Sequence, residues 1–130
     1  MELLLGHSPD PDDAFMFYAL KRGRVKSPFS FREFLADIET LNKLSLHNRL
    51  DITAVSTLRV GASMGLRYGP IVVSKAGKPE LVAVPGTYTT ASLLLRLAMP
   101  NVRTVEIPFD KIMDAVIGGV VDAGVLIHEG

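Results

Sequence analysis

Hydroxyl and imidazole side chains follow four apolar segments of this 130-residue chain. These polar positions are His7 and Ser8, Ser56 and Thr57, the run from Thr87 to Thr90, and His128. In α/β sheets, ligands bind at the carboxyl ends of the strands, because the loops there vary while the sheet stays rigid. We therefore expect the four segments to converge on one cavity.

The stretch "PGTYTTAS", residues 85–92, has the composition of an anion-binding helix start. Gly86 permits a sharp turn, and Thr89 and Thr90 place two hydroxyls beside the unpaired N–H groups of a first helical turn. A carboxylate or phosphate would fit there. N-capping by a single threonine is the alternative, and it needs only one of the two hydroxyls.

His128 directly ends an apolar strand and precedes Glu129. A partly desolvated imidazole at a sheet edge suits a general base that works near neutral pH. A structural role for this histidine is the alternative. His47 is predicted to lie on the protein surface.

The loop "SPDPDD", residues 8–13, joins the first strand to the first helix. It suits either a rigid turn capped by aspartate or one lip of a binding site. Asp12 or Asp13 is the predicted N-cap of the first helix. His7 is predicted to be a polar loop residue. A calcium loop needs a glycine and a terminal glutamate that this pattern lacks, so we expect no metal here and leave the roles of Asp10, Asp12 and Asp13 open.

Hydrophobic periodicity predicts strands that alternate with helices of about 10 to 13 residues, which is typical of a mostly parallel α/β sheet with helices on both faces. Residues 1–69 are predicted to form a first lobe that ends in a glycine-rich connector, and residues 70–130 a second, incomplete lobe. Phe15 and Met16 lie on the apolar stripe of the first helix, Gly23 ends that helix, and Asp110 caps the last one.

The amino-acid composition argues against several classes of binding partner and of chemistry. Equal numbers of acidic and basic residues give a formal net charge of zero, which favours neither nucleic acid nor an anionic membrane as partner. The absence of cysteine excludes disulfides and thiol chemistry. The N-terminus lacks the pattern of a secretory signal and no apolar run is long enough to span a membrane, so we expect a cytoplasmic protein that binds a small molecule.

Four stretches together resemble the menaquinone-biosynthesis family of the futalosine route, which includes 1,4-dihydroxy-6-naphthoate synthase and chorismate dehydratase. They are "GHSPDPDDAFMFYAL", "GASMGLRYGPIVV", "VAVPGTYTTASLLL" and "VDAGVLIHEG". The resemblance implies a fold like that of type II periplasmic binding proteins. It also implies a carbon–carbon lyase that converts cyclic dehypoxanthinyl futalosine to dihydroxynaphthoate without metal or organic cofactor.

The resemblance also implies roles for individual residues. His128 matches the family's base, Thr89 and Thr90 match a threonine pair where a substrate carboxylate sits, and Ser8 and Ser56 match positions that face the cleft. The histidine favours the naphthoate synthase over chorismate dehydratase.

The chain departs from the family pattern in three places. Asp10, Asp12 and Ala14 stand where the family has Cys, Asn and Thr, a helix and strand are missing between Leu58 and Gly61, and family members continue well past residue 130. We therefore expect weak or absent catalysis in the isolated chain, and a homodimer that completes the sheets is one possible assembly.

Two further classes of function stay open. A non-catalytic module of the type II solute-binding class would hold a small carboxylate without chemistry. A structural remnant would bind no ligand at all.

Overall fold

The computed structural model describes residues 1–55, 69–75 and 77–127. The chain divides into two compact units, Met1–Ser63 and Met64–Gly130. Each unit contains a β-sheet and helices, so the predicted α/β class is confirmed. Residues 56–68 lie outside the described ranges, and the predicted boundary after residue 69 stays a prediction.

In the first unit, a parallel sheet has β1 as its central strand. The described elements are β1 (Glu2–His7), α1 (Pro11–Lys21), β2 (Ser30–Leu35), α2 (Ile38–Leu46) and β3 (Ile52–Thr53). The strand order is β2-β1-β3, and both neighbours of β1 run parallel to it. This order brings the carboxyl end of β1 into the middle of the sheet edge.

The second unit has a sheet of order β4-β7-β5-β6. Its described elements are β4 (Ile71–Ser74), β5 (Leu81–Val84), α3 (Thr90–Ala98), β6 (Arg103–Glu106), α4 (Ile112–Ile117) and β7 (Ala123–Leu126). β5 runs parallel to β6 and β7, whereas β4 runs antiparallel to β7. The sheet is therefore mixed at one edge.

Apolar side chains of β5 alternate between the two faces of this second sheet. Val82 and Val84 pack with Leu95 of α3, while Ala83 packs with Ile112 and the rest of α4. Successive side chains of a strand point to opposite faces, so a continuous apolar strand requires cover on both sides. The second unit is accordingly a sheet between two helical layers.

The first unit buries less apolar surface. None of the residues of α1 is buried, and Phe15 is 86% exposed. The predicted apolar stripe of this helix is wrong for Phe15 and Met16, since both side chains are exposed to solvent. Among the described residues of this unit, the buried hydrophobic side chains are Leu5 and Leu41.

Two predicted helix caps are also wrong. α1 begins earlier than expected, with Asp10 as N-cap and Pro11 in the first helical position, where the fixed φ of proline fits and its missing N–H costs nothing. Asp110 lies inside a 3₁₀ turn, Phe109–Lys111, that leads into α4. The predicted end of α1 is confirmed, because Gly23 takes a φ of 62° just after the last turn.

Within the described ranges, every helix is too short or too polar to cross a membrane.

Gly124 in β7 provides a test of packing between the sheet and α4. A Cβ atom at this position would lie 2.3 Å from Cγ2 of Ile112 and 3.1 Å from Cγ2 of Val116, and Ile112 is fully buried. We expect Gly124→Ala to lower the free energy of unfolding by about 1–3 kcal/mol, measured by urea denaturation. Gly77→Ala is the control, because nothing lies within 4 Å of its Cβ position. Equal stability of the two variants would contradict the packing described here.

Candidate functional site

The residues that follow β1 form a closed hydrogen-bonded turn, which we call the Ser8 loop (residues 8–10). The Ser8 hydroxyl donates to Oδ2 of Asp10 at 2.9 Å and accepts from the backbone N–H of Asp10 at 3.2 Å. The backbone N–H of Ser8 donates to Oδ2 of Asp13 at 2.7 Å. Ser8 is only 4% exposed. Asp10 and Asp13 therefore shape this loop.

His7 lies beneath the Ser8 loop as the last residue of β1 and is only 5% exposed. Its Nδ1 lies 2.8 Å from the carbonyl oxygen of Ser8, and its Nε2 lies 3.4 Å from Oε1 of Glu33 on β2. The ring centroid lies 5.1 Å from that of Phe17 on α1. The prediction of a polar loop residue is wrong, because this imidazole is buried between a helix and a neighbouring strand.

Glu33 carries an ion pair that connects β2 to the end of α1. Lys21 Nζ lies 2.9 Å from Glu33 Oε2. The hydrogen bond from Lys21 lowers the pKa of Glu33 below its ordinary value of 4.5; burial opposes this effect and the contact with His7 adds to it. The ionised form is therefore favoured in the folded state. This contribution to stability is complete above about pH 4.5 and is lost as the pH falls through the lowered pKa.

Thr89 is the N-cap of α3. Its hydroxyl donates to the carbonyl oxygen of Gly86 at 2.8 Å and accepts from the N–H of Ser92 at 3.2 Å, and the residue is 3% exposed. Thr90 begins the helix and is exposed. Capping by one threonine is therefore what the structure shows, and only the second hydroxyl lies at the surface.

The turn between β5 and α3 is fixed by the end of β6. The N–H of Thr87 donates to Oε1 of Glu106 at 3.1 Å, and the Thr87 hydroxyl bonds to the same oxygen. Val84 and Glu106 are paired in the parallel register of β5 and β6. The position of the turn therefore depends on a neighbouring strand end, which local sequence does not reveal.

The predicted site residues fall into three groups. Ser8 lies in the first unit, and Thr89 and Thr90 are consecutive residues of the second. Ser56 and His128 lie outside the described residues. The convergence of these segments on one cavity stays a prediction.

Within the described ranges, no three or more His, Asp or Glu side chains form a group that could hold a metal ion. Asp10 and Asp13 instead accept hydrogen bonds from Ser8.

Comparison with known proteins adds sequence relatives along the whole chain. A family model described as menaquinone biosynthesis matches residues 3–130. The 1,4-dihydroxy-6-naphthoate synthase of Thermus thermophilus is 42% identical over 98% of this chain, and the enzyme of the same name from Streptomyces coelicolor is 35% identical over 98%. This chain spans only 53% of each relative, about half of its length.

Solved structures support the fold. Protein AF1704 from Archaeoglobus fulgidus matches 99% of this chain with a TM-score of 0.85 and 43% identity, and the match covers 55% of that protein. A mutant of ArgBP from T. maritima matches 96% with a TM-score of 0.61 and 17% identity, covering 67% of that chain. The second likeness concerns the fold alone. The predicted periplasmic-binding-protein-like architecture is confirmed.

The cap on α3 can be tested by removing one hydroxyl at a time. Thr89→Ala should lower the free energy of unfolding by about 1 kcal/mol, because the N–H of Ser92 loses its acceptor, whereas Thr89→Ser should retain most of the stability. Thr90→Ala, at the neighbouring exposed position, is the matched control and should change stability by less than about 0.5 kcal/mol. Urea denaturation checks all three variants. An equal loss in Thr90→Ala and Thr89→Ala would contradict the assignment of the cap.

Proposed function

This chain belongs to the menaquinone-biosynthesis family, and from that membership we propose that it contributes to a lyase that forms 1,4-dihydroxy-6-naphthoate. The observation that carries the proposal is its 42% identity, over 98% of its length, to a relative named for that activity. The relatives are about twice as long, so the activity of the whole enzyme is part of the proposal.

In the proposed reaction, cyclic dehypoxanthinyl futalosine is cleaved to dihydroxynaphthoate, and the sugar-derived portion is lost. His128 acts as the general base that accepts a proton from the substrate. General bases of this kind contribute about 10²–10⁴-fold to the rate. The proposed reaction uses no metal or organic cofactor. The proposal also includes a cytoplasmic location, with a homodimer as one possible assembly.

The start of α3 supports a role in binding the substrate carboxylate. The first N–H groups of a helix have no partner inside the helix. The N–H of Ser92 is satisfied by Thr89, and that of Thr89 by the carbonyl oxygen of Gly86. The N–H groups of Thr90 and Ala91 are therefore the ones that a carboxylate would use, where the helix dipole also favours negative charge. The exposed Thr90 hydroxyl is a third donor.

Ser8 contributes to the proposed site as an acceptor. Its hydroxyl proton points to Asp10, and its hydroxyl oxygen also accepts from the N–H of Asp10, so one lone pair remains for a substrate hydroxyl. Ser56 is proposed to supply a second hydroxyl from the same unit. The proposal thus separates carboxylate recognition at Thr90 from recognition of a substrate hydroxyl at Ser8.

Replacing His128 by Asn tests the assigned base. We expect turnover of cyclic dehypoxanthinyl futalosine to fall at least about 100-fold, because the proton acceptor is lost, while affinity for 1,4-dihydroxy-6-naphthoate changes little. His47→Asn is the matched control, since His47 is an exposed residue at the end of α2. Product formation by chromatography and product binding by calorimetry are the measurements.

Four outcomes decide between the functions. Turnover that survives in His128→Asn would remove this residue as the base. Because the isolated chain is expected to turn over weakly or not at all, naphthoate binding without turnover would favour the solute-binding alternative only if a protein of the relatives' full length also showed no turnover. Loss of water from chorismate would favour a dehydratase. A chain that neither binds naphthoate nor turns over the futalosine would contradict the proposal.

A further inference from the structure

We propose that Glu33 and His7 are positioning residues that hold the Ser8 loop in its binding conformation. The contacts run from Lys21 through Glu33 and His7 to the carbonyl oxygen of Ser8. This inference rests on the proposed function only in assigning Ser8 to the substrate site. The family resemblance attributes no role to either residue.

The hydrogen bonds determine which ring atoms of His7 carry protons. A carbonyl oxygen can only accept, so Nδ1 must donate its proton to Ser8 across 2.8 Å. Nε2 faces a Glu33 carboxylate oxygen at 3.4 Å. Lys21 keeps that carboxylate ionised, and an ionised carboxylate also only accepts. The arrangement therefore places an acceptor beside each ring nitrogen, so that the Nδ1 proton is directed to Ser8 and Nε2 lies against Glu33.

The ring has little freedom to leave this position. His7 is 5% exposed, and Phe17 of α1 lies against it with 32° between the ring planes. The charged groups around the pair are Glu33 on β2 and Lys21 at the end of α1, with Asp10 and Asp13 beyond Ser8. Two neighbouring elements, β2 and α1, therefore fix the imidazole from either side.

Ser8 is held from three directions. Its N–H is bound by Asp13, its hydroxyl by Asp10, and its carbonyl oxygen by His7. Asp10 and Asp13 belong to the cap and first turn of α1, whereas His7 is the last residue of β1, so the bond from His7 connects the carbonyl group of Ser8 to the sheet. Loss of the Nδ1 donor should leave the carbonyl group of Ser8 without this hydrogen bond. The Ser8 hydroxyl oxygen, whose remaining lone pair is proposed to accept from the substrate, should then move.

Two substitutions of His7 separate positioning from packing. In His7→Asn the side-chain amide can replace the Nδ1 donor to Ser8, whereas in His7→Gln it reaches the position of Nε2 toward Glu33. A residue that only fills space would be impaired in both variants alike. We expect His7→Asn to bind 1,4-dihydroxy-6-naphthoate within about threefold of the unsubstituted chain, and His7→Gln to bind about tenfold more weakly.

Glu33→Gln provides a second variant that leaves the imidazole in place. It replaces the carboxylate opposite Nε2 by a neutral amide, so the ring ¹⁵N signals of His7 should move, while the Nδ1 donor to Ser8 remains. Glu2→Gln is the matched control, because it breaks the ion pair with Arg32 between the same two strands, away from His7. It should leave both the His7 ring signals and naphthoate affinity unchanged.

The amide signal of Ser8 in ligand-free protein makes the outcome independent of the proposed function. Positioning predicts that this signal moves in His7→Gln and stays near its original place in His7→Asn. If that pattern appears and the chain does not bind naphthoate, the positioning role stands and the proposed function fails. Equal displacement of the Ser8 signal in both His7 variants, or displacement in neither, would overturn the inference, as would unchanged His7 ring signals in Glu33→Gln.

Discussion

The parallel register of β1 and β2 is the constraint on which the first unit depends. It pairs Leu5 with Glu33 and His7 with Leu35. Glu33 lies two residues before Leu35, the partner of His7, so His7 and Glu33 lie on the same face of the sheet. A slip of one residue would carry Glu33 to the opposite face and leave His7 without its acid partner. The contact of His7 with Glu33, and through Glu33 with Lys21, depends on this pairing.

Sequence periodicity was sufficient to predict the order of helices and strands and the α/β class, because apolar spacing is a local property. Periodicity was insufficient where contacts with other elements of the fold determine the burial of a side chain or the direction of a strand. Phe15 fits an apolar stripe, yet its side chain is exposed, because no residue of α1 is buried. The antiparallel direction of β4 likewise arises from its pairing with β7 and not from its own residues.

In the candidate site, too, local features could be predicted from the sequence, whereas contacts between distant residues could not. Thr89 was identifiable as a cap because the threonine lies directly before a helical pattern, and the structure confirms that alternative. The contact between His7 and Glu33 was missed because the two residues are 26 positions apart in the sequence and meet only through strand pairing. A turn stabilised by aspartate was one of the two interpretations of "SPDPDD", but the shared partner of Asp10 and Asp13, Ser8, is visible only in the structure. The roles of Ser56 and His128 stay predictions.

The central proposal is that residues at the carboxyl end of β1, and residues at the carboxyl end of β5, contact the ligand. Titration of ¹⁵N-labelled protein with 1,4-dihydroxy-6-naphthoate, followed by amide chemical shifts, tests it most directly. We predict saturable changes that are largest at Thr90 and Ala91 and at Ser8 and Asp10. Saturable changes confined to the opposite ends of the strands, around Ser30 and Arg103, would contradict the account.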